Sequence, residues 1–293
     1  MSEMLANGVR LNFDIQGNPE HPTMVLIRGL GTQMSEWHPD LLQQLQDLGL
    51  QILIFDNRDV GLSEKLADRK SAPFAEVASG EAEPPYTLTD MAADVCGLLD
   101  GLNIESAHVL GISLGGMIAQ VMAAQFPARV SSMLSVMSSS GSPGLPGPSD
   151  AALAAFNEPV PETPEAAIEQ TARHKVVFGS PGYPESLEQR LADARSSYER
   201  CHYPEGVARQ RRAAASQLDR SEMLQTIQKV CTVIHGEDDA LIPLACGKDT
   251  ARLIPNAHFV AVPGMGHNIP QALVPEFVQL VAEHLQRARA SES

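Results

Sequence analysis

The chain of 293 residues is 43% hydrophobic and 19% charged, proportions that exclude a disordered segment and supply enough apolar side chains for a sizeable core. Its formal net charge is −15 and its 21 lysines and arginines are scattered, so no basic stripe offers nucleic acid a footprint, and the acidity reads as solubility. No basic-then-apolar leader opens the chain, no run nears the ~18 apolar residues of a membrane span, and Cys96, Cys201, Cys231 and Cys246 lack the spacing of a zinc site. The expectation is a cytoplasmic protein with free thiols and no metal.

In chain order, Val9-Arg10-Leu11-Asn12-Phe13-Asp14-Ile15 alternates with period two, which predicts a half-exposed strand beginning an antiparallel edge, closed by the turn Gly17-Asn18-Pro19. The runs Met24-Val25-Leu26-Ile27, Ile52-Leu53-Ile54-Phe55 and Ala107-His108-Val109-Leu110 are continuous and apolar, as strands of a parallel sheet covered on both faces are. Between them, helical patterns span residues 39–48, residues 88–102 behind a cap at Thr87 or Thr89, and residues 114–125, stopped by Phe126-Pro127. This βαβα order predicts a doubly wound α/β sheet with right-handed crossovers. From residue 138 to about 158 the composition turns to Ser, Gly and Pro, and a charged, helix-favouring stretch runs on to about Gln228. Residues 139–225 are therefore expected to form a helical cap inserted between a first core part, 1–138, and a second, 226–293. That second part reads as a strand at 230–235, a helix at 244–253, a strand at 258–262 and a helix at 274–286. No internal repeat is evident.

Chemistry concentrates at three strand ends. Gly111-Ile112-Ser113-Leu114-Gly115-Gly116 follows a strand and opens a helix, the setting in which G-x-S-x-G lifts a serine hydroxyl above the sheet on a strained turn. A serine that merely caps the helix is the competing reading. A hydroxyl is a weak nucleophile at neutral pH and needs a base held in the right tautomer. Of nine histidines, His267 lies in a loop after the last strand, from which it can return to Ser113, whereas His235 ends a strand and has little reach. For the acid, Glu237, Asp238 and Asp239 follow the preceding strand; Asp239 is favoured because the loop must leave the strand before a side chain can turn back, and Asp238 comes second. The backbone N–H of Leu114, at the positive end of its helix, and that of Leu30, in Arg28-Gly29-Leu30-Gly31, are the expected oxyanion donors.

The segments 111–116, 236–243 and 264–270 together resemble the α/β-hydrolase superfamily. The resemblance implies a mostly parallel eight-stranded sheet with helices on both faces, and Ser113, Asp239 and His267 as nucleophile, acid and base in the family's chain order. The turn Asp56-Asn57-Arg58-Asp59-Val60-Gly61-Leu62-Ser63 is similar to the family's D-x-R-G-x-G-x-S, with Asp59 at its usual glycine; Arg28-Gly29 replaces a common His-Gly pair. With residues 107–109 and 117–120, the turn also resembles aclacinomycin methylesterase-like carboxylesterases. The expected activity is cofactor-free hydrolysis of a small carboxylic ester through an acyl-enzyme. Lactone hydrolysis, acyl transfer, or perhydrolysis of the haloperoxidase kind would use the same residues, while a non-catalytic binding protein on this scaffold would be expected to have lost one of them. Phe156, Phe178, Tyr183, Tyr198 and Tyr203 are the aromatic side chains of the predicted cap, there as pocket lining or as its core.

Overall fold

The computed structural model describes residues 2–291. Its eight strands are β1 (Ser2–Ala6), β2 (Val9–Gln16), β3 (Thr23–Ile27), β4 (Gln51–Phe55), β5 (Ala107–Ile112), β6 (Val130–Val136), β7 (Cys231–Gly236) and β8 (His258–Val262), in the spatial order β1-β2-β4-β3-β5-β6-β7-β8. The pairs β1–β2 and β2–β4 are antiparallel and the remaining five are parallel.

Alternation along the strands feeds two separate cores. Val25, Ile27, Leu53, Phe55 and Val109 pack on one face with α3 (Leu88–Gly101) and α4 (Leu114–Gln125). Met24, Leu26, Ile52, Ile54 and Leu110 pack on the other with α1 (Pro39–Asp47) and α11 (Val274–Ser291). Because both faces are covered, every residue of β3 and β4 is buried, which is why those strands read as unbroken apolar runs. Thr87 caps α3, accepting from the Asp90 N–H.

The structure departs from the sequence reading in three places. The strand at residues 9–15 is not the edge: β1 precedes it and takes that position, with Leu5 69% exposed, a partly solvated strand with little apolar signal. Strand β6 was not expected, because Ser131, Ser132 and Ser135 interrupt its apolar residues. The short helix α2 (Phe74–Ala78) falls where the sequence suggested no element, and α5 (Asp150–Phe156) falls in the stretch rich in Ser, Gly and Pro. Among the described residues no helix is long and apolar enough to cross a membrane.

The serines of β6 have structural partners. His108 Nδ1 lies 2.7 Å from Ser132 Oγ, which lies 2.6 Å from His284 Nε2. On the other side of that ring, Thr232 Oγ1 is 2.8 Å from His284 Nδ1 and accepts from Arg287 at 3.1 Å. Burial, with His108 and Arg287 alongside, pushes the His284 pKa from 6.5 down to about 3. A pKa lowered by folding ties stability to the neutral ring, so that contribution is complete above the unfolded value and is lost as pH falls toward the folded one. The stability difference between wild type and His284→Gln, read from urea unfolding, should therefore narrow from about pH 7 to about pH 4, at up to about 1.4 kcal/mol per pH unit. A difference that stays constant over that range would mean that folding leaves the ring's proton affinity unchanged.

Between β6 and β7 the chain forms α5, α6 (Pro164–Phe178), α7 (Leu187–Arg200), α8 (Pro204–Ser216) and α9 (Ser221–Leu224). Arg220, 2% exposed, ties the two ends of this segment together. Its guanidinium donates to the carbonyls of Ser139, Gln217 and Leu218, and its N–H to Ser140 O. Burial brings its pKa down to about 10.

Candidate active site

Ser113 sits on the turn between β5 and α4 with φ 55° and ψ −118°, a combination that costs a non-glycine residue about 1–3 kcal/mol. Its surroundings enforce the turn. A Cβ on Gly111 would be driven into Gly115 O, and one on Gly115 into Ile27 O, so only glycine allows this approach of strand and helix. Ser113 N–H donates to Val136 O at 3.0 Å, and Ser138 Oγ donates to Ser113 O at 2.8 Å. The side chain does not cap α4. Instead, Ser113 Oγ lies 2.9 Å from His267 Nε2.

His267 is carried by the loop after β8, and its Nδ1 is 2.7 Å from Asp239 Oδ2. Asp239 follows β7. The other oxygen of its buried carboxylate, Oδ1, accepts the N–H groups of Leu241 at 2.9 Å and Ile242 at 2.8 Å. Two backbone donors therefore fix the carboxylate before the imidazole reaches it, and Nδ1–H donating to Oδ2 leaves Nε2 free to accept the serine proton. The neighbouring Glu237 and Asp238 are exposed, and Asp238 Oδ2 accepts only from Gly264 N–H, at 3.1 Å, among the hydrogen bonds of the described residues. His235, the alternative histidine, is fully buried, with Nε2 2.7 Å from Ile242 O and 3.6 Å from Asp239 Oδ2. Burial lowers its pKa, and it steadies the 239–242 turn without meeting Ser113.

The loop after β3 closes over the serine from the opposite side: a Cβ on Gly29 would fall 3.2 Å from Ser113 Cβ. Thr32 bonds back to Gly29 O through N–H at 3.3 Å and Oγ1 at 3.0 Å, and Gly31 N–H donates to Gln210 Oε1 at 2.9 Å. Neither the Leu30 nor the Leu114 N–H has an acceptor within the protein among the described residues. Arg28, in place of the usual histidine, has its guanidinium 4.7 Å from the Trp37 ring centre and its Nε 3.3 Å from Thr32 Oγ1. It supports the loop through Thr32.

The turn at residues 56–63 is an anchor for α7 and α8. Asp56 accepts Met34 and Leu62 N–H groups and pairs with Arg200, whose Nη2 lies 2.7 Å from Oδ2. Asp59, at φ 69° where the related turns have glycine, accepts Leu66 N–H at 2.8 Å and takes Arg209 in a two-pronged pair at 2.9 and 2.7 Å. That hydrogen bonding raises the Arg209 pKa. The departure at residue 59 is thus the other half of a cation on α8. Asp59→Asn keeps the acceptor for Leu66 and tolerates the left-handed backbone, yet strands a buried guanidinium. It should cost about 3 kcal/mol of unfolding free energy; an unchanged urea midpoint would show that the pair adds no net stability.

Arg200 and Arg209 had no sequence signal beyond that odd Asp59, since on a helix each reads as an ordinary surface charge. Of the aromatic side chains between β6 and β7, four meet neighbours in the same segment: Phe156 is 4.6 Å from Arg211, Phe178 meets His174 edge-on, Tyr198 stacks on His202 and Tyr203 OH accepts from Arg209, whereas Tyr183 OH donates to Glu276 on α11. Among the described residues no group of three or more His, Cys, Asp or Glu side chains is placed to hold a metal ion.

A family model of the alpha/beta hydrolase fold matches residues 22–270. The chain is 27% identical over 267 residues, 88% of each sequence, to a putative carbamate hydrolase of Caulobacter sp. strain K31. It is 24% identical over 293 aligned positions, 93% of each sequence, to the rhodomycin D methylesterase of Streptomyces peucetius. In structure it is similar to the meta-cleavage product hydrolase of Pseudomonas fluorescens IP01, with a TM-score of 0.77 over 98% of each chain at 20% identity.

Proposed function

We propose, from the premise that the chain belongs to the α/β-hydrolase family, that it cleaves small carboxylic esters through an acyl-enzyme on Ser113. The observation that carries this reading is one imidazole bridging a strained serine and a buried carboxylate, at 2.9 Å and 2.7 Å. His267 Nε2 takes the Ser113 proton as Oγ attacks the ester carbonyl. The tetrahedral oxyanion is received by the Leu30 and Leu114 N–H groups, and Asp239 stabilises the imidazolium that forms. The imidazolium gives its proton to the departing alcohol. Water, deprotonated by the same Nε2, then attacks the acyl carbon, and Ser113 recovers its proton as the acid leaves. In this reading residues 139–225 form a cap that roofs the site and selects the acyl or alcohol group.

Likeness to a methylesterase and to a putative carbamate hydrolase supports ester-type carbonyls as substrates. A panel of p-nitrophenyl acetate, aromatic methyl esters, lactones and carbamates, followed by acid quench and mass mapping, tests it. Turnover of at least one ester with an acyl group trapped on Ser113 is expected; failure on every member of the panel rejects the reading.

A further inference from the structure

The loop bearing His267 is held largely from the insertion. Gly266 N–H donates to Ser180 Oγ at 2.9 Å, and His267 N–H donates to Phe178 O at 2.7 Å. The Ser180 hydroxyl in turn donates to Asn268 Oδ1 at 2.6 Å, and Gly182 N–H donates to Gly264 O at 2.9 Å. The two backbones touch: a Cβ on Gly266 would be driven into Gly179 O. The core's backbone hydrogen bonds to this loop, Met265 N–H on Val262 O and Asp238 N–H on Met265 O, both precede Gly266, and at His267 the core reaches only the side chain, through Asp239. Ser180 is 4% exposed and Gly266 is buried, so without the hydroxyl the Gly266 N–H would have no ready solvent partner.

We propose that Ser180 is a positioning residue: one hydroxyl, accepting from Gly266 and donating to Asn268, clamps the two neighbours of His267 and so sets the distance from Nε2 to Ser113. This rests on His267 being the catalytic base. The inserted segment then does more than cover the site, because the imidazole lies where the serine can use it only while residues 178–182 are seated. A displacement of about 1 Å in such a group costs on the order of a hundredfold in rate, so a clamp of this kind acts on the chemical step and leaves substrate binding alone.

The test compares Ser180→Ala, Ser180→Thr and Asn268→Ala with wild type, measuring kcat and KM for p-nitrophenyl acetate, the rate of fluorophosphonate labelling at Ser113, and the melting temperature. Ser180→Ala should lower kcat and the labelling rate together by roughly 10- to 100-fold, with KM unchanged and the protein still folded at the assay temperature, its melting lowered by several degrees at most. Ser180→Thr, which retains the hydroxyl, should restore most of the rate. Should Ser180→Ala fail to fold, Asn268→Ala carries the test, with a smaller loss confined to kcat. Wild-type kcat and labelling in Ser180→Ala would overturn the inference, as would an equal loss in Ser180→Thr. Wild-type protein that is not labelled at Ser113 would instead overturn the assignment on which it rests.

Discussion

Ser113→Ala should lower turnover of an activated ester by a factor on the order of 10⁶, the scale on which loss of a serine nucleophile removes the covalent route altogether. The fold should be indifferent to the change. Alanine keeps the Ser113 N–H bond to Val136 O and the carbonyl that accepts from Ser138, and it inherits the same backbone strain at φ 55°. Only the His267 Nε2 contact disappears. Circular dichroism and thermal melting should therefore overlay wild type while the ester assay falls to background. A variant retaining a tenth of the activity would mean that Ser113 is not the group acylated.

Asp239→Asn is the second large effect, a loss of about 10⁴ in kcat, and Asp238→Asn is its control. The reason lies in the donors around residue 239. Leu241 and Ile242 N–H groups both point at Oδ1, so an asparagine must place its carbonyl oxygen there and turn its NH2 toward His267 Nδ1. That donor forces Nδ1 to be the acceptor and leaves the proton on Nε2, the atom that has to take the serine proton. At residue 238, by contrast, the carboxylate is exposed and accepts a backbone N–H, a bond that asparagine also accepts. Activity in Asp238→Asn should stay within about threefold of wild type, since surface charges of this kind contribute little. The reverse ranking would move the acid to Asp238.

Much of this arrangement was readable in the sequence because geometry constrains composition there. The glycines flanking Ser113 are required by the approach of β5, α4 and the end of β3, and no other residue type survives the contact. His267 and Asp239 were legible as residues a short loop beyond β8 and β7, where the carboxyl ends of a parallel sheet converge. Where burial is one-sided or polar, the signal fades. β1 is a partly exposed edge, and β6 interleaves its apolar residues with serines whose partners sit on other elements, Gln120 on α4 and the distant His284 on α11.

The arrangement of the helices between β6 and β7 was not legible at all, and the cause is specific. Its anchors are long-range pairs: Arg200 with Asp56, Arg209 with Asp59, and Ser180 with the His267 loop. Nothing local distinguishes these arginines from solvated helix charges, or Ser180 from any turn serine. Only Asp59, in a position where the backbone favours glycine, advertised an unusual partner without naming it. At the departure Arg28-Gly29 the guanidinium contacts Trp37 and Thr32, and the candidate oxyanion donor is a backbone amide that does not use the side chain of residue 28.

The most direct measurement of the central claim is labelling of the intact protein with a fluorophosphonate probe, followed by proteolysis and mass mapping of the adduct. A single modification on Ser113, lost in His267→Ala as well as in Ser113→Ala, is the predicted result. An adduct on another serine, or full labelling in the absence of the His267 imidazole, would contradict it.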